Sequence, residues 1–160
     1  MELTIIPAFD APEDVRELFE EYTKMLVDGD PAFRDYLSIQ NYDREILHLE
    51  EKYGPPRGRL YLARWGGETA GCIALRPLDE SRCEMKRLYV RPAFRNRGIA
   101  RKLVDTILAD ARSIGYHEML LDTLPFLRSA IALYESEGFY RVDKYNDSPL
   151  SRTYFYCLDL

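Results

Sequence analysis

A glycine follows basic residues at the point where a predicted strand gives way to a predicted helix. The segment is Arg95-Asn96-Arg97-Gly98-Ile99-Ala100, followed by Arg101 and Lys102. The first turn of a helix has N–H groups without intrahelical partners, so it binds anionic oxygens. Gly98 allows a phosphate to approach the backbone closely, and arginines add charge-assisted hydrogen bonds. The pattern predicts a site for a compact anion such as a pyrophosphate, although neither GxxxxGK[ST] nor GxGxxG is present.

The charge of the chain is concentrated around this segment. Between Arg82 and Lys102, eight cations accompany one anion, Glu84, for a net charge of +7, whereas the whole chain of 160 residues carries −5. Binding along a nucleic acid needs a basic surface at the scale of a domain. One basic strip in an acidic chain instead favours a single small anion.

The elements that must position this turn follow from hydrophobic periodicity and turn residues. A strand at Leu3–Ile6 precedes a helix that we expect Asp10 to cap and Pro12 to begin, and a second helical region includes Ile39–Tyr53. Gly66-Gly67 predicts a hairpin. Because a long helix ending at Gly115 joins strands near residues 83–90 and 117–123, those strands should be parallel. Pro125 opens a helix that Gly138 ends, and two closing strands follow at Phe139–Tyr145 and Thr153–Leu158.

The remaining composition narrows the class of protein. The N-terminal residues lack a signal-peptide pattern, and no apolar run approaches the roughly 18 residues that span a bilayer. Cys72, Cys83 and Cys157 are few and widely spaced, which favours buried thiols and a cytoplasmic location. No spacing of His and Cys residues suggests a metal site.

Two segments resemble signatures of the GNAT superfamily of N-acetyltransferases. The first is Glu84–Ala100, which resembles a strand followed by [Q/R]xxGx[G/A] and a helix. The second is Ala130–Phe139, which resembles AxxLYxxxGF. Together they cover roughly residues 83–140. The resemblance implies one GNAT-like domain over residues 1–160, of the α/β (α+β) class. Its sheet would be mixed and mostly antiparallel, with about seven strands, one parallel βαβ unit and flanking helices.

The resemblance also implies acetyl-CoA as co-substrate and assigns residues to it. The pantetheine arm would lie against Leu88, Tyr89 and Val90. The pyrophosphate would bind at the turn and the start of its helix, that is at Arg95, Asn96, Arg97, Gly98, Ile99, Ala100 and Arg101. Tyr134 would donate a proton to the departing sulfur. Glu84 matches the position of a general base in some members of the superfamily, and an ion pair between Glu84 and a neighbouring arginine is the equal alternative. Asp122 is a second candidate for the base. The family's longer motif, NxxAxxLY, has an asparagine where this chain has Leu127. Ser129 would then supply the polar contact that the asparagine makes.

The sequence leaves the acceptor and the activity open. In the superfamily, the first two helices and the last hairpin shape the acceptor pocket, and acidic and aromatic residues there would suit a cationic amine. These residues are Glu17, Glu20, Glu21, Tyr22, Asp28, Asp30, Tyr36 and Tyr145. Our first hypothesis is acetyl transfer to an amine by direct attack, and the alternative is a CoA-binding sensor or interaction module without chemistry. An unrelated nucleotide-phosphate binder is a third reading. We expect no nucleic-acid, membrane or metal partner, and leave open a homodimer.

Overall fold

One mixed sheet of seven strands forms the centre of the protein, in the order β1-β2-β3-β4-β5-β7-β6. The computed structural model describes residues 1–34, 42–148 and 152–160. The strands are β1 (Leu3–Pro7), β2 (Arg59–Trp65), β3 (Glu68–Pro77), β4 (Arg82–Val90), β5 (Glu118–Thr123), β6 (Tyr140–Val142) and β7 (Tyr154–Asp159). The helices are α1 (Pro12–Gly29), α2 (Tyr42–Leu47), α3 (Leu49–Tyr53), α4 (Ile99–Ile114) and α5 (Arg128–Ser136), with a 3₁₀ turn at Pro92–Phe94.

The predicted pairing of the strands is confirmed. Gly66 and Gly67 have φ values of +58° and +87° and join β2 to β3, because a two-residue hairpin turn of this kind needs positive φ at both positions. Strands β4 and β5 are the parallel pair, and every other pair is antiparallel. The fold class is therefore the mixed, mostly antiparallel sheet with one parallel unit that the sequence predicts.

Some boundaries differ from the prediction. Ala11 is the N-cap of α1 and no side chain caps it, so the capping role predicted for Asp10 is wrong, although Pro12 does begin the helix. The second helical region consists of α2 and α3, which are separated at His48, and Ile39 lies outside the described residues. Helix α5 begins at Arg128, because Leu124 to Leu127 forms a separate turn.

The two faces of the sheet pack against different helices. Leu103 and Ile107 of α4 are buried against one face, and Leu18 and Phe19 of α1 are buried against the other. Cys72, Cys83 and Cys157 are buried free thiols, as predicted. Within the described residues, no helix is both long enough and apolar enough to cross a membrane.

Candidate active site

A cleft opens where the parallel strands β4 and β5 separate. Their pairing ends at Glu84 and Leu120, although both strands continue. A β-bulge in β4 accompanies the separation, because Arg87 and Leu88 together oppose the single residue Ile73 of β3. Arg87 has a left-handed φ of +60° at this bulge. A bulge bends its strand, so β4 turns away from β5 and exposes part of its edge.

The walls of the cleft come from several parts of the fold. Strands β4 and β5 form its sides, and side chains of α1, of α5 and of the turn before α5 also line it. The lining residues are Tyr22, Leu26, Phe33, Met85, Lys86, Arg87, Leu88, Leu121, Asp122, Thr123, Leu124, Leu127, Tyr134 and Thr153. The cleft is thus mostly apolar, with a few polar groups that converge in it, which is typical of a ligand site.

Tyr134, the predicted proton donor, lies in this cleft. Its side chain is 7% exposed and packs against Phe139 with ring centroids 5.9 Å apart. Burial, followed by the nearby Tyr22 and Asp122, raises the pKa of Tyr134 above its ordinary value of 10.0. The hydroxyl is therefore protonated at neutral pH. Within the described part of the chain it donates no hydrogen bond, so its proton is available to a ligand.

Glu84, the predicted base, lies just before the cleft opens. Its carboxylate is 1% exposed, and the lining of the cleft on β4 begins one residue later at Met85. Arg76 donates to one carboxylate oxygen at 2.7 Å, and the Tyr145 hydroxyl donates to the other. The ion pair that the sequence offered as the alternative for Glu84 is therefore present.

Asp122, the second candidate for a base, lines the cleft directly. The amide of Asn146 donates to one of its oxygens at 2.7 Å. Tyr22 faces the same space, and burial raises the pKa of Tyr22 to about 12. Ionisable side chains from α1, β5 and α5 thus line one cleft.

The glycine-containing turn lies at the end of β4 and has the backbone shape of an anion site. Asn96 and Gly98 have left-handed φ values of +62° and +75°. Gly98 is the N-cap of α4, and no side chain caps that helix. The first N–H of α4 that bonds within the helix is that of Lys102, which donates to the Gly98 carbonyl at 3.1 Å. Among residues 1–34, 42–148 and 152–160, no partner is found for the preceding N–H groups, from Ile99 to Arg101, which are therefore available to an anion.

Acidic residues outside the basic strip pair with four of its eight cations in the part of the chain that the structure describes. Arg82 pairs with Asp79, Arg87 with Glu45, Arg91 with Glu17 and Glu21, and Arg101 with Glu137. Arg95 donates a hydrogen bond to the Val90 carbonyl at 3.0 Å. The guanidinium carbon of Arg97 lies over the Trp65 ring, 5.1 Å from the ring centroid. Within the described residues, Arg95, Arg97 and Lys102 have no carboxylate partner. Apart from Lys86, whose ammonium lies 4.0 Å from Glu84, the cations of the strip without a carboxylate partner thus lie in or beside the turn.

The acidic residues predicted to attract a cationic acceptor have other roles in the structure. Arg91 pairs with both Glu17 and Glu21, and Arg152 pairs with the buried Asp30 at 2.9 Å. Asp28 pairs with Lys24 on the surface. Glu20 is exposed and lies outside the cleft lining, whereas Tyr22 lines the cleft. Tyr145 donates to Glu84, and Tyr36 lies outside the described residues.

A buried ion pair beside the cleft was missed by the sequence reasoning. Arg87 Nε donates to Glu45 at 2.7 Å, and both side chains are less than 5% exposed. Lys52 donates to the other oxygen of Glu45. Burial alone would raise the pKa of Glu45, but Arg87 and Lys52 outweigh it and lower the pKa to about 2. No local pattern signals this pair, because its partners lie 42 residues apart.

Comparison with known proteins gives the family. The sequence profile of the Acetyltransferase (GNAT) family matches residues 14–139. An uncharacterized N-acetyltransferase of Schizosaccharomyces pombe is 37% identical over 150 residues, which are 92% of this chain and 88% of that protein. The chain therefore belongs to the GNAT family and is an acyltransferase.

Solved structures share the fold at lower identity. An acetyltransferase from Streptococcus agalactiae superimposes with a TM-score of 0.78 at 20% identity, over 99% of this chain and 98% of that one. A GNAT acetyltransferase from Elizabethkingia anophelis, solved with acetyl-CoA bound, superimposes with a TM-score of 0.62 at 22% identity, over 99% and 98% of the two chains. Both show the same fold as this protein.

Proposed function

We propose that the protein transfers the acetyl group of acetyl-CoA to a primary amine by direct attack in the cleft between β4 and β5. One observation carries this proposal: the open edge of β4 connects the cleft containing Tyr134 to the uncapped start of α4. A long thioester with a pyrophosphate at one end needs such a path. The donor observed in the Elizabethkingia anophelis relative is acetyl-CoA, which supports the choice of donor.

The edge of β4 suits the amides of a pantetheine arm. The N–H of Arg91 donates to Ala70 of β3 at 2.8 Å. Because backbone groups alternate along a strand, the N–H and C=O groups of Leu88 and Val90 point away from β3, toward the cleft. Arg95 already occupies the Val90 carbonyl. The arm would therefore bond mainly to Leu88 and the Val90 N–H, as an added strand does, while the Tyr89 side chain packs on α1 near Tyr22.

The turn supplies the pyrophosphate site in this proposal. The N–H groups at the start of α4 bind phosphate oxygens, and Gly98 leaves open space where a side chain would stand. Arg97 and Lys102 add positive charge from the side of the turn. Arg101 is held by Glu137 at 2.7 Å and contributes through its backbone N–H.

The cleft residues divide the proton transfers. The amine nitrogen attacks the thioester carbonyl carbon, the carbon–sulfur bond breaks, and Tyr134 donates its proton to the sulfur. The new amide nitrogen releases its extra proton, which returns through solvent to the Tyr134 oxygen. The acceptor ammonium must first lose a proton. Asp122 lines the cleft, whereas Glu84 lies just before the lining begins, so we assign this step to Asp122 or to water held by it, and Glu84 then positions Tyr145. The base role predicted for Glu84 is the competing assignment.

The activity is tested by release of CoA thiol from acetyl-CoA across a panel of amines, with mass spectrometry of the product. Amine-dependent release together with an acetylated amine is the expected result. Glu84→Gln and Asp122→Asn then separate the two bases, because loss of the base removes the rise of kcat with pH. The alternative of a CoA-binding module predicts a thermal shift with CoA and no release. A protein that shows neither has no CoA site.

A further inference from the structure

Lys86 is a buried cation on the wall of the cleft that lacks a matching anion. It lies on β4, is 8% exposed and lines the cleft beside Arg87. Within the described residues its ammonium makes no hydrogen bond, and the nearest carboxylate oxygen belongs to Glu84 at 4.0 Å. Burying an ammonium group is unfavourable unless it has a close partner. A charge in this position is therefore balanced best by a ligand.

The nearest carboxylate already has its own partners. The oxygen of Glu84 that lies 4.0 Å from Lys86 accepts the Arg76 hydrogen bond at 2.7 Å. Tyr145 donates to the other oxygen. One arginine balances the single charge of Glu84, which leaves the charge of Lys86 in excess.

The neighbouring lysine responds to this excess. Burial lowers the pKa of Lys52 to about 8, Glu45 opposes the shift, and the charge of Lys86 adds to it. Lys86 therefore lies near a second, partly buried ammonium group, and Lys86 itself lines the cleft.

We propose that the acceptor carries an anionic group on the same small molecule as its amine, and that Lys86 binds this group. The inference rests on the proposed acetyl transfer and adds the class of acceptor, for which an α-amino acid is the simplest example. The ammonium of Lys86 would donate hydrogen bonds to a carboxylate of the acceptor, while the amine of the acceptor would face Asp122 and Tyr134. Lys86 is thus a specificity-determining residue.

This class differs from the cationic acceptor that the acidic composition of α1 suggests. Arg91 pairs with both Glu17 and Glu21, and Arg152 pairs with Asp30, so these carboxylates already have cationic partners and attract a further cation less. The apolar residues Leu26, Phe33 and Leu124 form one cluster, and all three line the cleft. They would pack against the uncharged part of the acceptor.

The test compares acceptors that differ only in the anionic group. The common L-amino acids are assayed by CoA release against their primary amides, with O-phosphoethanolamine against ethanolamine to distinguish a phosphate from a carboxylate. We expect at least one acid to exceed its uncharged counterpart by about tenfold or more in kcat/KM. Lys86→Gln should remove that preference through KM, while Lys86→Arg should retain it. Lys24→Gln, at an exposed surface ion pair, is the matched control.

Three results would overturn the inference. The first is native enzyme that acetylates amides or simple amines as fast as the acids. The second is an equal loss for all acceptors in Lys86→Gln, which is the mark of a purely structural residue. If no acceptor releases CoA, the proposed function fails, and binding then decides the inference: acids but not amides should raise the melting temperature of the CoA complex, and Lys86→Gln should abolish the rise. The third overturning result is no rise with any acid.

Discussion

Replacing Gly98 with alanine separates anion binding by the turn from the stability of the turn. Gly98 has a φ of +75°, and beyond its chain neighbours nothing lies within 4 Å of an added Cβ, so the alanine meets no clash. The left-handed conformation costs an L-residue about 1–2 kcal/mol. In a protein of this size, about 1 kcal/mol lowers the melting temperature by roughly 2–4 °C. Gly98→Ala should therefore fold and melt a few degrees lower.

Binding of CoA should suffer more than stability does. The new methyl group occupies the space through which a phosphate approaches the N–H groups of α4. Loss of one hydrogen bond to a charged group costs about 1.5–3 kcal/mol. Since about 1.4 kcal/mol is a factor of ten, the dissociation constant of CoA should rise by about tenfold to a hundredfold.

Gly115 provides the matched control at the other end of the same helix. Its φ is +106°, and it too has nothing within 4 Å of an added Cβ. Gly115→Ala should lose a similar amount of stability and bind CoA as the native protein does. Thermal unfolding and calorimetric titration with CoA measure both quantities. If Gly98→Ala binds CoA within twofold of native, or both variants lose affinity equally, the turn is not the pyrophosphate site.

Three further predictions follow from the buried groups. Tyr134→Phe should lower kcat by about a hundredfold or more and leave the KM for acetyl-CoA nearly unchanged, as steady-state kinetics would show; an unchanged kcat removes its role as acid. Glu45→Gln leaves Arg87 buried without its partner and should cost about 3–5 kcal/mol in denaturant unfolding. The pKa of Glu45 is lowered from its ordinary 4.5 to about 2 in the folded protein, so Glu45 adds to the free energy of unfolding above pH 4.5. This contribution should be lost as the pH falls from 4.5 to about 2, and the loss should be absent in Glu45→Gln. Burial raises the pKa of Cys72 and Cys83 to about 12, so an aromatic disulfide reagent should label neither before unfolding; rapid labelling would contradict their burial.

Local sequence was sufficient to predict the elements whose cause is local. Gly66-Gly67 and Gly115 adopt the positive φ that their positions require, and the hairpin and the end of α4 lie where the sequence predicts. The parallel pairing of β4 with β5 followed from the length of the connecting helix. The insertion of β7 between β5 and β6 did not, because nothing in two short closing strands specifies which one pairs with β5.

The site was predicted in its parts and not in its electrostatics. Motifs in the sequence single out Tyr134 and Gly98, and Tyr134 lines the cleft in the structure. The basic strip looked like one cationic surface, whereas within the described residues four of its eight cations have carboxylate partners outside the strip, among them Arg91 with Glu21. The left-handed bulge at Arg87 depends on how β4 pairs with β3, and the burial of Lys86 depends on the tertiary fold. Such tertiary pairings have no signature in a single sequence.

A crystal structure of the protein with CoA tests the central claim most directly. We predict that the pantetheine arm lies in the cleft along Leu88 and Val90 and that the pyrophosphate binds the N–H groups from Ile99 to Arg101. The sulfur should lie within hydrogen-bonding distance of the Tyr134 hydroxyl. CoA bound elsewhere on the protein, or with its sulfur turned away from Tyr134, would contradict it.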